Sequence, residues 1–227
     1  LTDQNGSLVL WATGYIMTKM LLIGDLHGKW TSYANILQAY QPERSVQLGD
    51  FGIGFHPGDT PKSMARLNHA MTQWGPDNRF IRGNHDNPSA CQNHPQFIQD
   101  ATFEDATGIF YLGGAWSIDR GSRIEGKTWW ADEELSYQEL NAAIDVYEKS
   151  KPRIVLSHEA PEGIVDHMMP WYRREYRSRT RDAMATMFEI HKPELWVFGH
   201  WHSSVTASFD GCQFTCLDEL ETMEIEI

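Results

Sequence analysis

Short apolar runs alternate along the chain with longer segments in which apolar residues recur at helical spacing. Met20–Gly24, Ser45–Leu48, Arg79–Arg82, Ile109–Leu112, Arg153–Ser157 and Leu195–Phe198 are apolar or β-branched, and most are bounded by Gly or Pro. That pattern predicts strands buried on both faces. Between them, Trp30, Tyr33, Ala34 and Leu37 share one helix face, as do Met64, Leu67, Met71 and Trp74. Leu140, Ala143, Ile144 and Tyr147 form a third such set, and Met184, Met187, Phe188 and His191 a fourth. "SYQE" at Ser136–Glu139 has the form of a capping box, and Pro152 and Pro193 follow the ends of the last two helices. Beyond His202 the pattern changes. Val205–Phe209, the turn Asp210-Gly211 and Gln213–Leu217 predict a hairpin, and the alternating "TMEIEI" a terminal strand.

Composition narrows this α/β reading. At 227 residues, with no linker-like shift, the chain fits one domain, taken as residues 17–227. Residues 1–16 read as an added or upstream-translated extension: they begin on Leu, carry Asp3, and their apolar stretch is too short to span a bilayer. Nineteen Lys and Arg against 31 Asp and Glu give a net charge of −12, which disfavours non-specific attraction to nucleic acid or an anionic membrane. Three cysteines make no disulfide framework and suit a reducing, cytoplasmic setting. Cys212 and Cys216 share one strand face and read as core.

The polar residues change the picture most. Asp25 and His27 close the first strand in "GDLHG", Asp50 the second in "QLGD", and Asn84, His85 and Asp86 the third in "RGNHD". His158 closes another in "VLSHEAP", and His200 and His202 the last in "VFGHWH". A histidine at a strand end is ordinarily a hydrogen-bonded structural residue, and "LGD" is a common turn. Five strands delivering such groups at their carboxyl ends, where α/β sheets place ligand sites, point to one site. Asp25, His27, Asp50, Asn84, His158, His200 and His202 exceed what one ion uses, since a catalytic zinc typically takes about three protein ligands. Two divalent ions sharing Asp50 accommodate them, at the roughly 3.5–4 Å spacing that lets a metal pair bind both non-bridging oxygens of a phosphate. Mixed imidazole and carboxylate suits manganese first, with iron, zinc or nickel as alternatives.

Together, "GDLHG", "LGD", "GNHD", "SHEAP" and "GHWH", in that order from Met20 onward, resemble the calcineurin-like metallophosphoesterases. The resemblance implies a four-layer αββα sandwich with two central mixed sheets flanked by helices. It implies one ion held by Asp25, His27, Asp50 and His202, and a second by Asp50, Asn84, His158 and His200. It further implies that His85 protonates the leaving oxygen or stabilises its charge while a metal-held hydroxide attacks phosphorus. General acid work suits an imidazole near neutrality. Asp86 either orients that ring or caps the next turn. Serine/threonine protein phosphatases carry Asp-Arg-Gly shortly after the bridging aspartate, where this chain has Ile53, Gly54 and Phe55. "GDFG", "GGAWSID" and Trp129–Ser136 look more like small bacterial and bacteriophage members.

Two features bear on substrate. Arg173, Arg174, Arg177, Arg179 and Arg181 crowd one segment, and arginine binds phosphate bidentately. Most of them read as a solvated helix face, with Arg173 and Arg174 the better phosphate clamps. Trp201 lies between two ligand histidines, and Trp116, Trp129 and Trp130 are further aromatic candidates. A base stacked on such a ring gains about 1–3 kcal/mol. The expectation is a phosphoesterase acting on a small phosphodiester or phosphomonoester, a nucleotide among the candidates. A protein phosphatase is the alternative among enzymes, a silent metal-binding scaffold the alternative outside them, and the acidic charge opposes a nuclease.

Overall fold

The first apolar run divides its side chains between two cores. In β1 (Lys19–Ile23), Met20 and Leu22 pack with residues of a second sheet, whereas Leu21 and Ile23 pack against helices. The computed structural model describes residues 18–55, 60–169 and 177–227, so the extension proposed at 1–16 and the arginines Arg173 and Arg174 lie outside it. After β1 come α1 (Trp30–Tyr40), β2 (Arg44–Leu48), α2 (Pro61–Gln73), β3 (Asp77–Ile81) and α3 (Pro88–Gln92). The second half holds β4 (Thr102–Glu104), β5 (Ile109–Leu112), α4 (Tyr137–Ser150), β6 (Ile154–Ser157), α5 (Glu162–Met168), α6 (Arg179–Ile190) and β7 (Leu195–Phe198). It ends with β8 (Val205–Phe209), β9 (Cys212–Cys216) and β10 (Thr222–Glu226).

Two mixed sheets result, one ordered β10-β1-β2-β3 and the other β4-β5-β6-β7-β9-β8. Strands β1, β2 and β3 run parallel, as do β5, β6, β7 and β9, so the carboxyl ends within each group emerge on one edge. Met20, Val46, Leu48, Tyr111, Leu156 and Val197 fill the space between the sheets. Tyr33, Leu37, Leu67, Met71 and Phe80 join one sheet to α1 and α2, and Phe110, Tyr147, Met184, Met187 and Trp196 join the other to α4 and α6. Four layers follow, each fully buried large side chain contributing about 1.5–3 kcal/mol.

The ends of the elements obey local chemistry. Ser136 and Glu139 form the reciprocal capping box expected of "SYQE". Asp210 (φ 48°) and Gly211 (φ 84°) make the two-residue turn of the β8–β9 hairpin, as its primed geometry requires. That hairpin does more than close an edge, because β9 also pairs parallel to β7. "TMEIEI" crosses to the other sheet and lies antiparallel to β1. The third strand starts earlier than its apolar run, at Asp77, because buried Asn78 is satisfied by the Ser45 hydroxyl and the Met71 carbonyl. Arg82 has left that strand and is buried against Asp100. Cys91, Cys212 and Cys216 are free and buried, the last two in the same core, as expected. No helix among the described residues is long and apolar enough to cross a membrane.

Candidate active site

Because the two parallel strand groups end at the same edge, the loops after β1, β2, β3, β6 and β7 meet there. Asp25, His27, Asp50 and His202 bring one donor atom each to within 4.8 Å of one another, and Asp50, His158 and His200 do the same. Asn84 joins the second group, its Oδ1 3.1 Å from His158 Nε2. All seven predicted ligands therefore converge, with Asp50 common to both groups.

The backbone reaches this arrangement by leaving its easy conformations. His27, Asp50, His200 and His202 all have positive φ, between 44° and 67°. Each such non-glycine residue costs on the order of 1–3 kcal/mol and persists only where its surroundings impose it. Here the His27 amide donates to the Asp50 carbonyl at 2.7 Å, and the His200 amide to the Asp25 carboxylate at 3.1 Å. Gly83 is required for a different reason: a Cβ there would strike the Asp50 carboxylate and lie 2.7 Å from His158 Nε2.

Hydrogen bonds aim the donors. His158 Nδ1 donates to the Leu48 carbonyl at 2.8 Å, which turns Nε2 toward the cluster. Asn84 Nδ2 donates to Ser117 Oγ at 3.0 Å, turning its carbonyl oxygen inward, and Ser117 Oγ in turn donates to the buried Glu133. Asp25 and Asp50 are buried among four imidazoles. Burial alone would raise the Asp50 carboxyl, but the neighbouring His158, His85 and His27 hold it well below the usual range. His158 is opposed by burial yet drawn up to about 10 by Asp50. His27 Nε2 and His202 Nε2 point at each other 2.8 Å apart. Imidazole nitrogens and carboxylate oxygens aimed at common points are a donor set that fits first-row transition ions.

His85 stands beside the cluster, its amide donating to Asp50 Oδ1 at 2.7 Å. Phe55 stacks on its ring with centroids 4.8 Å apart, and Arg123 Nη2 donates to its Nε2. Burial first, then the Arg123 charge, lower the imidazole to about 4. The ring is thus neutral here, with Nε2 as acceptor.

Asp86, expected either to orient the His85 ring or to cap the next turn, has its hydrogen bonds elsewhere. Its carboxylate accepts from the amides of Phe51, Gly52, Ile53 and Gly83 at 3.1, 2.6, 3.0 and 2.8 Å. It clamps the loop that bears Asp50 to the loop that bears Asn84. The side chain that hydrogen-bonds His85 Nε2 is Arg123, which the sequence pattern did not single out.

A cavity of 380 Å³ opens over the cluster, with Trp116, Ile118, Arg123 and Trp201 in its wall. Trp201 is held there by Nε1 donating to Glu159 at 2.7 Å, while Glu159 Oε2 sits 3.6 Å from His200 Nε2. Burial pushes the Glu159 carboxyl up to about 7 against the pull of Arg181. The arginines of α6 depart from the expected solvated face. Arg181 is only 2% exposed and pairs with Glu162 at 3.0 Å, and Arg179 binds the Leu135 and Glu134 carbonyls.

An αββα sandwich with clustered imidazoles and carboxylates at the shared strand edge defines a metal-dependent phosphoesterase. Residues 18–204 match the family described as calcineurin-like phosphoesterase, and the chain belongs to that family of phosphoric ester hydrolases. Comparison with curated protein sequences gave no match. Among solved structures, a dimetal phosphatase from Danio rerio is similar at 13% identity over 90% of this chain and 88% of that one, with a TM-score of 0.57. A protein of Thermus thermophilus, TT1561, is similar at 12% identity over 90% of both chains, with a TM-score of 0.54. A phosphopantetheinyl hydrolase from Mycobacterium tuberculosis follows at 12% identity, 89% and 90% coverage and a TM-score of 0.50. At these identities the likeness is one of fold.

Proposed function

We propose that residues 17–227 act as one domain that hydrolyses a small phosphoester, a nucleotide among the candidates, with two divalent ions, manganese first among them. Asp25, His27, Asp50 and His202 would hold one ion, and Asp50, Asn84, His158 and His200 the other. The observation that carries this reading is the convergence of seven donor side chains from five strand ends on two points that share Asp50. The ions, when bound, would supply Lewis-acid polarisation of phosphoryl oxygens and of water. His85, fixed by its amide on Asp50 and packed between Phe55 and Arg123, stands where it can stabilise a leaving oxygen. Trp116 and Trp201 line the cavity, and its 380 Å³ falls in the range of small-molecule sites. Phe55, occupying the stretch where protein phosphatases place an Asp-Arg pair, favours a small substrate over a phosphoprotein. Three free, buried cysteines are in keeping with a cytoplasmic enzyme.

Turnover of p-nitrophenyl phosphate and bis-p-nitrophenyl phosphate by manganese-loaded protein, with and without chelator, tests the proposal. Hydrolysis that chelator abolishes is expected; a loaded protein that cleaves neither ester is the silent scaffold. His85→Ala is expected to slow turnover about 100–10,000-fold with both ions retained by elemental analysis. Ser117→Ala, which frees the Asn84 amide to rotate, is expected to weaken one of the two manganese sites about 10–100-fold in a calorimetric titration. Two unaltered binding steps would remove Asn84 from the ligand set.

A further inference from the structure

We infer that Arg123 recognises the third non-bridging oxygen of a terminal phosphoryl group, so that the site prefers phosphomonoesters to phosphodiesters. The inference rests on the proposed two-ion reading and deepens it. Arg123 lies in the segment after β5, far in sequence from every predicted ligand, yet its side chain is only 7% exposed and lines the same cavity as Asp50, Asn84, His85 and His200. Its Nη1 donates to Ser117 Oγ at 3.1 Å, and its Nη2 serves His85 and, at 2.6 Å, Asp119. Those bonds hold the guanidinium plane rigidly and leave it further N–H groups for a ligand.

Charge separates it from the other arginine of the wall. Arg181 is matched by Glu159 at 3.8 Å and Glu162 at 3.0 Å, both on its own side of the cavity. Among the described residues Arg123 has one direct carboxylate partner, Asp119, whose side chain is half exposed and therefore screened, while buried Glu133 reaches it only through Ser117. A phosphomonoester presents three non-bridging oxygens and close to two negative charges at neutral pH; a diester presents two and one. Two such oxygens suffice for the seven-ligand cluster, so a diester has nothing left for Arg123, whereas a monoester brings a third oxygen and the second charge. Arginine's fork matches that demand better than a lysine's point charge.

The test compares wild type, Arg123→Ala, Arg123→Lys and Asp119→Asn, each loaded with manganese and checked for metal content. For Arg123→Ala, both esters lose the Arg123 contact to His85, and kcat/KM for p-nitrophenyl phosphate is expected to fall roughly 10–100-fold further than that for bis-p-nitrophenyl phosphate. Inhibition by inorganic phosphate is expected to weaken in step, with inhibition by dimethyl phosphate unchanged. Arg123→Lys should fall between wild type and the alanine variant, and Asp119→Asn should bind inorganic phosphate more tightly. Equal losses on both esters, or loss of metal, would assign Arg123 to holding His85 or Ser117 and overturn the inference. A wild type that cleaves only the diester, indifferent to Arg123→Ala, overturns it alone. A loaded wild type that cleaves neither ester sinks the proposed function instead.

Discussion

Asp50→Asn is expected to cost roughly 1,000-fold in turnover, about 4 kcal/mol of transition-state stabilisation. The substitution keeps the shape of the side chain and removes the charge that both donor groups share. It also weakens the acceptor for the His85 amide and the partner of His158 at 3.3 Å. Elemental analysis should show fewer than two bound ions per chain. Wild-type turnover with two ions retained would mean that Asp50 bridges nothing, and the two-ion reading would fall with it.

Asp86→Ala should produce the largest loss of stability. The carboxylate satisfies four amides in a fully buried position, and each orphaned donor costs about 1–3 kcal/mol, less in sum where water enters. A net loss of about 4 kcal/mol corresponds to a fall in Tm of roughly 8–16 °C for a chain of this size. Thermal unfolding of chelator-treated protein isolates that effect from metal binding. Asp86→Asn, which keeps one acceptor oxygen, should fall between. Were Asp86 catalytic instead, Asp86→Asn would keep its Tm while losing turnover, so the two measurements together decide its role.

The contrast between Asp50 and Asp86 marks how far residue order alone can be read. Short apolar runs closing on His or Asp disclosed β1, β2, β3, β6 and β7 and the residues they bring together, because strand direction fixes where a run's last side chain emerges. Asp86 sits in the same motif as Asn84 and His85, and nothing local shows that its carboxylate turns back onto the amides of residues 51–53 rather than toward the imidazole. Arg123 was illegible for a related reason. It lies in a segment with neither helical nor strand periodicity, and only folding brings it to His85, 38 positions earlier. The short elements α3, α5 and β4 likewise carry too few residues for a period to show. Arg181, which looked like one charge among several, is buried because Glu159 and Glu162 await it on neighbouring elements.

The donor groups come from both sheets: Asp25, His27, Asp50 and Asn84 from one, His158, His200 and His202 from the other. Neither half of the chain can therefore assemble the centre by itself. Loaded ions would act as rivets across the seam, tying the strand ends of one sheet to those of the other. Metal-loaded protein should accordingly unfold at a higher temperature than the chelator-treated chain.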